Sequence, residues 1–389
     1  MSATSVHARS VAPGLIAALI ALGICNHVAY GGSRIAVSLF ALKLGTSPFI
    51  VGTLMSMLAL LPMLFAVRLG RWGDRIGVRR PMLAGVAAIV IGTLLPVVAP
   101  GLPTLYCTVV LTGAGYTAWQ VSLQHWLGTV ALPERRAAHF AYLALGLSLS
   151  NMAGPVITGL AIDHFGHRYA FGVLAAFAAA SLLALTSLVA ALPKREGALP
   201  AREHRVWDLL TARSMRRIFL ASALISVAWD LHTFVVPILG TQRGFSATQI
   251  GVVLGGFGAA TVVVRAAVPW LNQRMREWTM VSWSIGIGLV VYALYPFAPN
   301  LAAMAGLSFL LGLGLGATQP NMMALLHKAA PPERIGEAVG LRLSVVNASH
   351  VALPLAFGAA GTALGVVPVF WAMAAMLAAG GWCMRKVGH

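Results

Sequence analysis

Apolar runs of about 20 residues recur along this chain, each long enough to cross a bilayer as a helix and each closed by a short polar stretch. They predict helices over about 13–42, 48–69, 81–99, 103–129, 137–162 and 168–192. A polar segment, Pro193 to Arg217, follows, and then helices over about 218–240, 247–270, 279–297, 301–326, 337–363 and 366–384. The pattern is that of an all-α membrane protein with about twelve transmembrane helices. Gly14 to Cys25 imitates a signal peptide, but the apolar run continues past Asn26 to about Leu44, so a retained first helix is expected.

The pattern also repeats. Leu132-Pro133-Glu134-Arg135 resembles Pro331-Pro332-Glu333-Arg334 at an offset of 199 residues. The same offset pairs Ser47 with Ser246, Gly52 with Gly251, Gly113 with Gly312, Gln120 with Gln319, Pro155 with Pro354 and Gly159 with Gly358. One gap-free register across most of the chain predicts two pseudo-symmetric six-helix halves, related in parallel about an axis along the membrane normal. Their bounds are 1–192 and 218–389, joined by 193–217. The joining segment mixes many cations with Trp207, Leu209, Leu210 and Met215. It fits an amphipathic helix on the anionic inner leaflet and a solvated linker equally well.

Composition narrows the class. Of 389 residues, 59% are hydrophobic and 10% charged, against roughly a quarter charged in soluble domains. Mean hydropathy is +0.83, so lipid is the solvent. The net charge of +17 would suit nucleic acid, but the cations cluster in short loops between apolar spans, and no nucleic-acid partner is expected. An even helix count places both termini on one side. Arg9, Arg68, Arg71, Arg75, Arg79, Arg80, Arg135, Arg136, Arg274, Arg276, Lys328, Arg334, Arg385 and Lys386 share that side, against Lys43, Arg168 and Arg243 on the other. Both termini are therefore expected in the cytoplasm. Cys25, Cys107 and Cys383 form neither a disulfide framework nor a metal site. Walker, dinucleotide and Gly-x-Ser-x-Gly motifs are missing, so no enzyme activity and no cofactor is expected.

Between the second and third spans lies Gly70-Arg71-Trp72-Gly73-Asp74-Arg75-Ile76-Gly77-Val78-Arg79-Arg80. Its spacing, Gly-x-x-x-Asp-Arg-x-Gly-x-Arg-Arg, resembles the signature loop of the major facilitator superfamily. The resemblance implies a gating motif of Gly70, Asp74, Arg75, Gly77, Arg79 and Arg80, in which Asp74 and Arg75 belong to a latch that holds the outward-facing state. The plainer alternative is a topogenic basic loop. The second-half counterpart, Pro269 to Arg276, is degenerate, with Gln273 where Asp74 stands. Ser150 to Gly159 resembles the family's fifth-helix antiporter motif: Gly154, Pro155 and Gly159 match, while the leading and one trailing glycine do not. That favours the drug/proton-antiporter-like exporter branch. One departure stands beside it. The arginine that many of the family's proton-coupled exporters carry in the fourth helix falls here on Val109, whose repeat mate is Ser308.

The resemblance further implies that the first helix of each three-helix unit lines a central cavity. Polar residues gather there: Asn26, His27, Tyr30 and Arg34 on the first span; Tyr116, Trp119 and Gln120 on the fourth; Trp229 and Asp230 on the seventh; Gln319 on the tenth. Asn151 and His350 are repeat mates at mid-depth. Asp230 is the one acidic residue well inside a span, and a carboxyl there can change protonation as the cavity alternates between water and closure. It is the expected proton-coupling residue. The competing reading is a permanent ion pair with Arg34, at similar depth on the other half. Histidine as a residue type can ionise near neutral pH, but those of the spans lack metal-ligand spacing, so no metal is assigned. Arg265 and Arg342 are expected to snorkel or to serve the inner gate.

The expected function is secondary active transport by alternating access in the bacterial inner membrane, as a monomer. The preferred form is proton-coupled export of a small neutral or anionic amphipathic organic compound. The partners are then the lipid bilayer, the small-molecule substrate and a proton. The first alternative is uptake of an organic anion, by symport or facilitated diffusion, with Arg34 binding the anion. The second is a membrane enzyme or scaffold that does not transport.

Overall fold

The computed structural model describes residues 13–130, 133–192, 212–331 and 335–387. All regular elements among them are helical: α1 (Pro13–Lys43), α2 (Pro48–Ile76), α3 (Arg79–Val98), α4 (Leu102–Val130), α5 (Pro133–Leu188), α6 (Arg213–Gln242), α7 (Ala247–Leu271), α8 (Glu277–Leu294), α9 (Leu301–Gly316), α10 (Thr318–Ala329), α11 (Ile335–Leu364) and α12 (Val366–Val387). Two features map these onto the expected spans. α5 runs for 56 residues but breaks at Gly166, whose φ of +82° is open to glycine at no steric cost. Its two arms are the fifth and sixth spans. α9 and α10 are the two pieces of the tenth span, parted at Ala317. Nine helical stretches among the described residues are apolar and long enough to cross a bilayer, one of them holding both arms of α5.

The seventh span begins at Arg213, a turn before the expected start. Trp207, Leu209 and Leu210 of the joining segment lie outside the described residues, and Met215 is buried within α6.

Within each half the main packing pairs are α1 on α5 and α3 on α4 in the first, and α7 on α9 and α8 on α12 in the second. Helix α6 and the α5–α7 and α2–α11 pairs carry the contact between halves. Both pairs meet at the distal end of the bundle, away from the two termini. Gly251 of α7 is so close to α5 that a Cβ there would lie 2.5 Å from the Pro155 carbonyl oxygen. Gly52 of α2 packs in the same way on the Pro354 carbonyl of α11, and Gly159 packs on Ala247. Proline explains part of this. Pro155 has no N–H for the Asn151 carbonyl four residues back, and that freed oxygen faces Gly258, 2.6 Å from where a Cβ would stand. Ser56 Oγ donates to the Val351 carbonyl at 2.7 Å, and the Phe49 N–H to Thr362 Oγ at 3.0 Å.

The distal cations have structural work. Arg168 donates to the Val97 carbonyl at 2.6 Å, and Arg243 to the Pro296 and Ala298 carbonyls at 2.8 and 2.7 Å. Each guanidinium thus occupies the carbonyl-rich end of a neighbouring helix. Arg79 does the same at the proximal end, donating to the Ala190 carbonyl at 2.7 Å and also to Leu192. Asp163, at the end of the first arm of α5, accepts from the Ala247 and Thr248 N–H groups at 3.1 and 2.8 Å. It crosses between halves to cap the N-terminus of α7, where its charge also suits the helix dipole. Partial burial pushes its pKa up. Hydrogen bonds from Thr248, Ser246 and the Ala247 N–H outweigh that, and the net shift is downward.

Candidate functional site

Asp230 lies on α6 within the membrane span and is almost fully buried. The expected contact is present: Arg34 Nη2, from α1 in the other half, is 3.4 Å from Asp230 Oδ1. Thr233 supports it, one turn further along α6. Its Oγ1 accepts from Arg34 Nη2 at 3.3 Å and donates to the Asp230 carbonyl at 3.0 Å. On the opposite side His350 Nε2, from α11, stands 3.1 Å from Asp230 Oδ2. That is ion-pair distance, at an angle that makes no hydrogen bond. One carboxylate therefore sits between a guanidinium of the first half and an imidazole of the second. Tyr30, Phe234 and Pro354 complete a small chamber around it.

A second chamber, of about 220 Å³, lies nearer the proximal end. Arg265 of α7, Gln319 of α10, Arg342 and His350 of α11, and Trp229 of α6 all line it. Arg265 donates to Ser148 Oγ of α5 at 2.5 Å, to Gln319 Oε1 at 3.2 Å and to the Gly316 carbonyl at 3.3 Å. Arg342 Nε donates to Ser222 Oγ of α6 at 3.0 Å. His350 borders both chambers and stands between the two arginines and the Asp230 cluster. Asn151 joins Arg34 and Trp229 in a third recess against α7.

The other expected cavity residues have different places. Tyr30 and Tyr116 stack at 4.2 Å with rings 10° from parallel, and His27 leans on Tyr116 at 5.3 Å. Those three make an aromatic wall in the first half. Trp119 and Asn26 are fully buried in the packed interior of that half, and Gln120 is half-buried. His232 hydrogen-bonds Ser308 at 2.8 Å, so the repeat mate of Val109 serves a buried histidine. In the antiporter-like motif, Gly154 packs against α1, while Pro155 and Gly159 face α7. In the gating motif, Gly77 takes a φ of +79° just past α2, and Arg79 makes the contacts given above. The side chains of Asp74 and Arg75, together with Gly70, lie outside those described, and Arg80 is exposed.

Of the two expectations for Arg265 and Arg342, to snorkel or to serve the inner gate, the structure disfavours snorkelling: Arg342 is 9% exposed and turns to Ser222, and Arg265 reaches Ser148 of the other half. A signal existed. Gly251, Gly255, Gly258 and Arg265 share one helix face, and the glycines of that face pack on α5. Arg342, Val346 and His350 likewise recur every four residues along one face of α11.

Known proteins agree with this architecture. The family model for the Major Facilitator Superfamily matches residues 19–299 and 218–387. The chain belongs to that superfamily and is a membrane transporter of its kind. A class G tetracycline resistance protein from Vibrio anguillarum is 24% identical over 79% of each chain. A chloramphenicol efflux pump from Mycobacterium tuberculosis is 26% identical over 65% of this chain and 60% of its own length. An uncharacterised MFS-type transporter from Bacillus subtilis is 25% identical over 62% of this chain, and this chain spans about three fifths (61%) of its length. Among solved structures, a POT family transporter in complex with a thioalcohol-conjugated peptide superposes with a TM-score of 0.81 over 96% of both chains, at 14% identity. That likeness is one of fold.

Proposed function

We propose that this chain is a proton-coupled exporter of a small neutral or anionic amphipathic organic compound. It works by alternating access in the bacterial inner membrane, as a monomer with both termini cytoplasmic. The observation that carries the reading is the Arg34–Asp230–His350 cluster, a single buried carboxylate shared between the halves. When the carboxylate is ionised, Arg34 holds α1 against α6. Proton entry neutralises it and frees the halves to rock, which is the coupling step. The distal contacts Gly52–Pro354 and Gly251–Pro155 supply the two-state element: close backbone packing that either meets or parts. Resistance and efflux relatives support export, and the partial antiporter motif points the same way. The terminal side is cytoplasmic because the distal cations are few, and two of the three are held as helix caps.

Uptake of an organic anion stays as the second reading, favoured by the two arginines of the proximal chamber. Purified protein in proteoliposomes with a trapped pH dye tests both. A gradient of the transported compound that drives opposing proton movement, lost in Asp230→Asn, supports coupled export. Flux without proton movement returns Asp230 to a structural pair with Arg34.

A further inference from the structure

We infer that the proximal chamber is an oxyanion receptor. Arg265 and Arg342 hold the carboxylate or phosphoester headgroup of an organic anion, and its apolar body rests against Trp229, Leu315 and Val346. The inference rests on the reading of this chain as a transporter of a small neutral or anionic organic compound; it places that compound in this chamber and selects anionic over neutral ones.

Charge balance is the argument. A guanidinium withdrawn from water is stable when an anion answers it. Three acidic side chains are described within the fold, and all are engaged elsewhere. Asp230 faces Arg34 and His350, Glu277 pairs with Lys328, and Asp163 caps α7 at the distal surface. Among the described residues Arg265 and Arg342 meet only neutral groups: two serine hydroxyls, one amide oxygen, one backbone carbonyl and the Met323 sulfur. Each guanidinium has five donors. Arg265 commits three to these oxygens and Arg342 commits one. Two cations with unspent donors therefore border one chamber, with no carboxylate among the described side chains to balance them. His350 also faces it, already opposite Asp230. A planar oxyanion supplies both missing quantities, the charge and the acceptors.

The rest of the lining sets the ligand's shape. Apart from these cations and the polar groups of Ser222, Ser226, Thr318 and Gln319, the walls are apolar. The volume of about 220 Å³ falls short of the roughly 300–1,000 Å³ of drug-sized pockets, so the fit is to one ring or a short chain. Placement also ties occupancy to the cycle. Arg265 holds Ser148 of the first half, and a bound anion competes for that same guanidinium.

The test is equilibrium binding to the purified full-length protein in detergent, with no gradient imposed. The probes are benzoate, phenyl phosphate and the neutral twin benzamide. Both anions are expected to bind roughly tenfold or more tighter than benzamide, and inorganic phosphate at high concentration should compete. Arg342→Gln should remove at least tenfold of the affinity for the anions while leaving benzamide unchanged, and Arg342→Lys should keep part of it. Benzamide binding as tightly as the anions, failure of both anions to bind, or unchanged affinity in Arg342→Gln overturns the proposal. The first two outcomes need no variant to fold. Proton coupling is not read in this experiment. Loss of coupling in liposomes with anion selectivity intact would sink the coupling mechanism alone, and the reverse result would sink the receptor alone.

Discussion

Gly251 meets Pro155 across the boundary between the halves, and their repeat mates Gly52 and Pro354 meet in the same way on the other side of the axis. The contact is made twice because the chain encodes its six-helix half twice at one register. Neither glycine has room for a side chain against the opposing carbonyl, so the distal end closes only while these positions stay bare.

Gly251→Leu should therefore bias the protein toward a distally open state. Overpacking of a tight contact costs about 1–3 kcal/mol, which corresponds to a population shift of roughly 5- to 150-fold. In a background without native cysteines, a cysteine at Thr248 should react faster with an impermeant maleimide in this variant, and transport should slow. Unchanged labelling would mean that the contact is not a gate.

Asp230→Asn should abolish proton-driven transport and leave the protein folded. The amide keeps the shape while removing the charge that faces Arg34 and His350. Substrate exchange without a pH gradient should persist. Full coupled transport in the variant would end the coupling role.

Asp163 predicts a pH response that can be read from its sign. Its pKa in the folded state is depressed below the ordinary value of 3.8. Its stabilising contact with α7 is thus complete above that ordinary value and is lost as pH falls through the lower folded value. Distal labelling, normalised at each pH to the rate of a free thiol, should be flat between about pH 5 and 8 and rise only in stronger acid. Asp163→Ala should raise it wherever the parent carboxylate is ionised, by an amount near the ~1 kcal/mol of a lost N-cap, and parent and variant should converge in stronger acid. A rise already at pH 6 in the parent protein would assign the response to another group.

The signature-loop resemblance predicts that Asp74→Ala slows cycling more than it weakens binding. Single-turnover flux and equilibrium binding of the same compound separate the two. A large loss of affinity with normal cycling would contradict the latch.

The histories of three residues show what was legible in the chain and what was not. Asp230 stood out because a carboxylate in an apolar span is costly wherever it points, and its depth relative to Arg34 followed from the 199-residue register. His350 was legible as a polar repeat mate of Asn151. Its approach to Asp230 was not, because α6 and α11 come together only when the second half packs. For Arg342 snorkelling and an inner-gate role were both open, because near a span end its side chain has two reachable destinations. Which one it takes depends on whether a neighbouring helix offers an acceptor.

By itself the sequence determined that this chain spans a membrane as two like halves of six helices. Hydrophobic length, loop charge and internal repetition are local or one-dimensional properties, and a bilayer constrains them strongly. Only the tertiary structure decided which polar side chains meet. It set Asp230 between Arg34 and His350 and turned Arg265 and Arg342 into one chamber. The physical reason is that facing depends on how helices rotate against one another. In the α5–α7 and α2–α11 contacts, close glycine and proline packing joins residues far apart in the chain.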